Sequence, residues 1–312
     1  MRLAETAAAG VYGEWSGEIA PAPAGAVQLA PTVPGSAALE ELPQGALTDI
    51  AILAPAGTAE RRYTLALSLQ ALRPGGGLLA LAPKPRGGAR LRAELEAFGC
   101  TVTEEARRHH RVCRVEARPA LLKALDEAIE GGAPRLVPAI GLWSQPGVFS
   151  WDRVDPGSAL LARHVPASTG RPSLAGRGAD LGCGIGVLAR AVLSSRDVIA
   201  LTLVDHDRRA IGCARRNVDD PRVAFQWADV RGLDLAGLDF VVMNPPFHAG
   251  GTEDQGLGRE FIRAAARMLR KGGLCRLVAN RHLAYEAVLR ETFKQVTPLE
   301  EAGGFKVYEA RR

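Results

Sequence analysis

The sequence predicts an α/β protein of two tandem domains built on one plan, a parallel sheet with helices on both faces. Three observations predict it. First, stretches of the early chain recur near its end. Leu72-Arg-Pro-Gly-Gly-Gly-Leu-Leu-Ala-Leu-Ala82 aligns with Leu269-Arg-Lys-Gly-Gly-Leu-Cys-Arg-Leu-Val278, with one extra glycine in the first copy. Asp49-Ile-Ala-Ile-Leu-Ala54-Pro55-Ala56 aligns with Asp239-Phe-Val-Val-Met-Asn244-Pro245-Pro246. Glu104-Glu-Ala106 aligns with Glu300-Glu-Ala302, each leading into a basic and apolar strand that ends in Glu-Ala-Arg. An internal repeat decides the fold before any single element does. Second, apolar β-branched runs alternate with helical patterns in the second half, which implies parallel strands joined by crossover helices. Third, the strand ending at Asp180 opens into Gly182-Cys183-Gly184-Ile185-Gly186 and then a helix. Length agrees, because 312 residues are long for one core and fit two of roughly 120 to 170 residues.

Taken in order, the first 45 residues are rich in Ala, Pro and Gly. They are expected either to order poorly or to fold partly onto the first domain. Strands near 50–54, 78–82 and 111–117 build that domain, which spans 1–118. A helix over 120–130 and a Gly/Pro-rich linker over 131–138 follow, within an intermediate segment 119–138. The second domain, 139–312, starts its sheet at 174–179, where Gly176, Arg177 and Gly178 stand in place of an apolar run. Helices are predicted over 187–195, 208–218, 259–270 and 283–293. Strands are predicted over 198–204, 223–227 and 240–243, with a last, antiparallel strand over 305–310.

The chemistry concentrates at the carboxyl ends of the second domain's strands, where ligands bind in such sheets. Glycines at 182, 184 and 186 let the backbone turn sharply and approach a ligand, with helix N–H groups behind it. Asp205 ends the next strand and is placed to accept hydrogen bonds from ribose hydroxyls. Asp229 ends the one after, where an acid contacts an adenine amino group or else caps a helix. Asn244-Pro245-Pro246-Phe247 then follows an apolar run. Two consecutive prolines remove two backbone donors and stiffen the turn. The Asn244 side-chain carbonyl and the Pro245 carbonyl can both accept from a planar NH2 group. The Phe247 ring offers a face for a flat base. A dinucleotide site is disfavoured, because the spacing is G-x-G-x-G rather than G-x-G-x-x-G.

This order of motifs resembles the class I S-adenosylmethionine (SAM) methyltransferases that act on planar or amino nitrogens. Narrower segments resemble the ribosomal RNA small-subunit methyltransferase C family. They are Pro146-Gly-Val-Phe-Ser150 with Asp155-x-Gly157-Ser158, Asn244-Pro-Pro-Phe-His248, Leu277-Val-Ala-Asn280 and Gly304-Phe-Lys-Val-Tyr308. The resemblance covers about residues 140 to 312. It implies two tandem Rossmann-like methyltransferase domains, the N-terminal one degenerate and the C-terminal one a mostly parallel seven-stranded sheet. It also implies SAM-dependent methylation of a guanine N2 in 16S rRNA. SAM would lie on Asp180, Gly182, Cys183, Gly184 and Gly186, on Asp205 with His206, on Asp229 with Val230, and beside Asn244. Asn244, Pro245, Pro246 and Phe247 would form the catalytic tetrad, with His248 near the base. In the first copy Ala54 replaces the asparagine, and no G-x-G-x-G precedes it. An Ala methyl accepts no hydrogen bond, so that half should be inactive.

Two other classes compete. One is a methyltransferase for adenine N6 or a protein glutamine, whose tetrads usually end in Tyr. The other is a non-enzymatic RNA-binding protein. The five cysteines form no C-x-x-C pair and no metal spacing, so reduced thiols in a cytoplasmic protein are expected. No metal is needed for N2 methylation. No apolar run reaches the roughly 18 residues of a membrane span, and no secretory signal is read at the N-terminus. The net charge of +5 suits a polyanionic partner, expected to be small-subunit rRNA or the 30S subunit, met by a monomer. Arg107, Arg108, Arg111 and Arg114 either form one basic face of a strand in the first half or, as the plainer reading of each cluster, lie on a solvated surface. Arg208, Arg209, Arg215, Arg216, Arg267, Arg270 and Lys271 form further clusters.

Overall fold

The structure, a computed structural model, describes residues 8–117, 122–165, 173–246, 248–249, 252–253 and 255–312. The chain divides into two compact units, residues 1–134 with 145–147, and residues 135–144 with 148–312.

The first unit holds β1 (Ala8–Tyr12), β2 (Val27–Gln28), β3 (Leu47–Leu53), α1 (Thr58–Ala71), β4 (Leu72–Pro83), α2 (Ala89–Ala97), β5 (Thr101–Arg107), β6 (His110–Ala117) and α3 (Leu122–Gly132). They form a six-stranded sheet in the order β2-β1-β3-β4-β6-β5. The first four strands run parallel, and β6 lies antiparallel to both its neighbours. The Ala/Pro/Gly-rich start thus contributes two strands. Gly10 in β1 is needed there, since a Cβ would stand 2.7 Å from a Leu29 methyl. Leu29, Ile50, Leu65, Leu91 and Phe98 fill the core between sheet and helices.

The second unit opens with a short hairpin, β7 (Arg135–Val137) and β8 (Leu142–Ser144), where a linker was expected. It continues with α4 (Pro156–Arg163), β9 (Gly176–Leu181), α5 (Val187–Leu193), β10 (Val198–Asp205), α6 (Arg208–Asn217), β11 (Val223–Trp227) and β12 (Leu238–Met243). A small hairpin of β13 (His248–Ala249) and β14 (Thr252–Glu253) precedes α7 (Gln255–Met268), β15 (Leu269–Asn280), α8 (Glu286–Thr292), β16 (Gln295–Ala302) and β17 (Phe305–Arg311). Its sheet has seven strands in the order β11-β10-β9-β12-β15-β17-β16, with β17 antiparallel to β15 and β16. Buried side chains fill both faces of this sheet, one cluster around Val241, Met243 and Ile262, another around Leu161, Leu203 and Val242. The two copies of the repeat occupy matching places, β3, β4, β5 and β6 against β12, β15, β16 and β17.

The glycines of β9 do not break the strand. Gly178 pairs across β12 with Phe240, and a Cβ at 178 would stand 2.2 Å from the Phe240 ring. The ring covers the gap the glycine leaves, so the apolar content of β9 is supplied by its neighbour. Among the described residues no helix is long and apolar enough to cross a membrane.

Candidate active site

Register aligns the site. Asp180 pairs with Leu203 on one side and Val242 on the other, and Leu181 pairs with Val204 and Met243. One step on, Gly182, Asp205 and Asn244 therefore leave three adjacent parallel strands at one edge. A Cβ built on Gly182 would stand 4.0 Å from the Asn244 carbonyl oxygen, so glycine loop and tetrad lie side by side.

The loop is held from below and open above. Gly182 and Cys183 donate their N–H groups to the Val204 carbonyl at 2.9 and 3.0 Å. Gly182, Gly184 and Gly186 have φ of 73°, 52° and 87°, values that favour glycine. A Cβ on Gly184 would meet nothing within 4 Å, which leaves room for a ligand against the backbone. Asn217, at the end of α6, ties the loop to β8. Its Nδ2 donates to the Ile185 and Trp143 carbonyls at 2.9 and 2.8 Å, and its Oδ1 accepts from Trp143 N–H at 2.7 Å. Sequence reasoning missed this clasp, which spans 74 residues and leaves no local pattern.

Asp205 Oδ2 accepts the Gly184 N–H at 2.8 Å, and Oδ1 accepts the Asp207 N–H at 2.9 Å. Each oxygen retains lone pairs for a ligand hydroxyl. His206 Nδ1 lies 3.5 Å from Asp205 Oδ1. That hydrogen bond raises the His206 pKa above its ordinary value, against the opposing effect of burial. Asp180 is wholly buried, and among the described residues neither of its oxygens has a hydrogen-bond partner. Burial, and then the Asp205 charge, pushes its carboxyl up to about 8. A buried acid without a partner costs stability, and this one lies two residues before the glycine loop. Cys183 is a buried thiol whose pKa rises, again chiefly through burial.

Asp229 stands at the end of β11 as expected, but it caps the turn that follows. Its Oδ1 accepts Arg231 N–H at 2.9 Å, and its Oδ2 accepts Arg231 Nη2 at 2.6 Å. The guanidinium hydrogen bond is the first cause of its lowered pKa. An adenine amino group would have to share those oxygens. Val230, beside it, is buried.

Asn244 is half-buried with its amide anchored. Nδ2 donates to Asp155 Oδ2 and to Ser158 Oγ, both at 2.9 Å. Among the described residues nothing donates to Asn244 Oδ1 or to the Pro245 carbonyl. Pro245 is buried and Pro246 half-buried. Phe247 and the side chain of His248 lie outside the described residues.

Residues 139–309 match the family described as the methyltransferase small domain. Over 290 residues the chain is 33% identical to the ribosomal RNA small subunit methyltransferase C of Pseudomonas paraeruginosa, covering 91% of this chain and 86% of that one. Against the protein of the same name from Pseudomonas putida it is 31% identical over 283 residues, 87% of this chain and 81% of that one. Among solved structures it is similar to the 16S rRNA N2 G1207 methyltransferase of T. thermophilus in complex with AdoMet and guanosine. That likeness has a TM-score of 0.68 at 27% identity, over 88% of this chain and 76% of the other. The chain belongs to the ribosomal RNA small subunit methyltransferase C family.

The expected family site is thus brought together on one sheet edge, from Asp180 through the glycines and Asp205 to Asn244. Arg107, Arg108, Arg111 and Arg114 do not share one face. Arg111 and Arg114 are three residues apart on β6, so strand alternation sends them to opposite faces. Arg111 pairs with Glu104 at 3.2 Å, Arg114 with Glu105 at 4.0 Å, and Arg108 with Glu18 at 3.0 Å. In the second unit Arg209 pairs with Asp207 at 2.8 Å and Arg270 with Asp239 at 2.6 Å. Arg208, Arg215 and Arg216 stack over Trp227, Phe225 and Trp143. Among the described residues no group of three or more His, Cys, Asp and Glu is arranged to hold a metal.

Proposed function

We propose that this protein transfers a methyl group from SAM to the exocyclic N2 of a guanine in 16S rRNA, the one equivalent to the G1207 of the T. thermophilus relative. It would do so in the cytoplasm, as a monomer acting on small-subunit rRNA or the 30S subunit. One observation carries the reading. The Asn244 amide is anchored through its nitrogen, which leaves its carbonyl oxygen and that of Pro245 as two acceptors beside an open glycine loop.

The residues fit the cofactor. SAM carries an ammonium and a ribose, and the site holds a buried carboxyl that has no hydrogen-bond partner among the described residues and that an adjacent cation would ionise, with a second acid that has spare lone pairs. Asp180 would answer the cationic end and Asp205 the ribose hydroxyls. The glycines would let the loop backbone close on the ligand, and Asp229 with Val230 would border the adenine. Bound there, SAM supplies a methyl carbon made electrophilic by its sulfonium.

The chain's own part is positioning. The guanine is extruded from its stack into the pocket, with Phe247 as its stacking face. Asn244 Oδ1 and the Pro245 carbonyl accept the two amino hydrogens, which turns the nitrogen lone pair toward the methyl. As the nitrogen bonds to carbon and gains positive charge, the same two oxygens stabilise it. The extra proton is then acidic and leaves without a dedicated base. Mapping methylated nucleotides in rRNA from cells lacking this protein tests the reading. Loss of one N2-methylguanosine in 16S rRNA is expected, and an unaltered map would overturn it.

A further inference from the structure

Two segments that carry the family resemblance, Asp155-x-Gly157-Ser158 and Gly304-Phe305, take no direct part in the transfer of the methyl group. The first holds Asn244, and the second packs against the first. Asp155 is the N-cap of α4, where its Oδ2 accepts the Ser158 N–H at 2.7 Å as well as Asn244 Nδ2. Pro156, at the first helical position, has no N–H to satisfy. Ser158 turns its hydroxyl to the same Asn244 nitrogen. Gly157 lies between them, and a Cβ there would stand 2.8 Å from Phe305 Cε1 and 3.1 Å from Asp155 Oδ2. Only a glycine lets the Phe305 ring close on this turn.

We infer that Asp155 and Ser158 are positioning residues that fix which way the Asn244 amide faces, with Gly157 and Phe305 setting their place. An amide is nearly symmetric in shape, so shape alone does not choose between its oxygen and its nitrogen. A carboxylate does choose, because it only accepts. The NH2 must face Asp155, and the carbonyl must then face the substrate. Turned over, the amide would set oxygen against carboxylate, and donors against the donors of the incoming amino group. The negative charge behind the NH2 also polarises the amide, which makes its oxygen a stronger acceptor where positive charge develops. The clamp therefore selects an amino group over a carbonyl in the pocket, N2 over O6 of the same guanine.

This rests on the reading of Asn244 as the residue that holds the substrate nitrogen. Steady-state methyl transfer to 16S rRNA tests it. Asp155→Asn keeps the shape and can still cap Ser158, but it frees the Asn244 amide to turn. Its kcat should fall about ten- to a hundredfold, the loss of a hydrogen bond to a charged group, with KM, SAM affinity and Tm near the wild type. Ser158→Ala, which leaves the cap intact, should lose about two- to tenfold for one neutral hydrogen bond. In an Asn244→Ala background Asp155→Asn should cost nothing more, since it acts through a side chain no longer there. A full second loss in that background, or a single variant as fast as wild type, would overturn the inference. A wild-type protein that methylates no rRNA would overturn the assigned reaction, and this inference with it.

Discussion

The two halves place the same strand end in opposite service. After β12, Asn244 and Pro245 present two carbonyl oxygens with no donor among the described residues. After β3, the aligned residues are Ala54, Pro55 and Ala56, and Ala54 is buried. The Pro55 and Ala56 carbonyls accept from Arg61 Nη1 at 3.1 and 2.8 Å. Arg61 is itself buried and makes two 2.6 Å hydrogen bonds to Glu94. The gap above the first strand differs in the same sense. A Cβ on Gly13, directly after β1, would stand 2.8 Å from Leu53 Cβ, whereas one on Gly182, directly after β9, would meet Phe261 Cε1 only at 3.4 Å and one on Gly184 nothing within 4 Å. Among the described residues the first half also has one strand fewer, at the edge where β11 stands in the second. An edge with open acceptors in the second half is a packed and internally bonded edge in the first. Loss of the asparagine alone does not describe it, because the second acceptor is occupied too.

The contrast is most vulnerable at Arg61. Arg61→Ala leaves Glu94 as a buried charge without its partner and should destabilise the first unit by about 3–5 kcal/mol. Denaturant unfolding would read this, and a loss under about 1 kcal/mol, the range of an exposed pair, would mean that the ion pair does not hold the edge shut. Next comes the asparagine. Asn244→Ala should cut methyl transfer about a hundredfold or more and leave SAM affinity nearly intact. Adding Ala54→Asn to that variant should restore nothing, since the Pro55 carbonyl stays bonded to Arg61. Recovered turnover would show that the first half is one substitution from activity.

Asp180 gives a smaller, pH-dependent contrast. Its folded pKa, about 8, lies above the ordinary 3.8. Folding therefore favours its protonated form, and that contribution is lost as pH rises from about 4 through 8. Asp180→Asn should gain stability relative to wild type across this window while binding SAM less tightly. Paired melting curves and calorimetry check both, and a stability difference constant with pH would put the raised pKa in doubt. The smallest effect separates the arginines of the first half. Neutralising Arg107, which makes no ion pair among the described residues, should flatten the salt dependence of RNA binding by close to one unit of slope if it contacts a phosphate. Neutralising Arg108, Arg111 or Arg114, each paired to a glutamate, should change it less. Slopes equal to the wild type for all four would favour a scaffold role for this half over RNA docking.

Much of this contrast was legible in the sequence. The repeat supplied the matched strands, and strand ends near Asp205, Asp229 and Asn244 followed from apolar runs stopping at polar residues, while Asp180 was placed by the glycines after it and lies one residue before the end of β9. What was not legible depends on pairings distant in the chain. The Asp155–Asn244 hydrogen bond spans 89 residues and the Arg61–Glu94 pair 33, so neither leaves a local signature. Gly178 looked like a weak point because its partner, Phe240, lies on another strand. Strand β1 lacked a strand signal at Gly10, which is required because a Cβ there would stand 2.7 Å from a Leu29 methyl far along the chain. Arg111 and Arg114 were placed on one face by their nearness in sequence, which alternation along a strand overrides.

That the second half alone carries guanine N2 methylation is decided by where a labelled methyl goes. Purified protein is incubated with methyl-labelled SAM and 16S rRNA or 30S subunits, and the RNA is digested to nucleosides. Label should run as N2-methylguanosine, vanish with Asn244→Ala and persist with Ala54→Gly. Label in N6-methyladenosine or in protein glutamine, or an Asn244→Ala variant that still labels guanosine, would contradict this assignment.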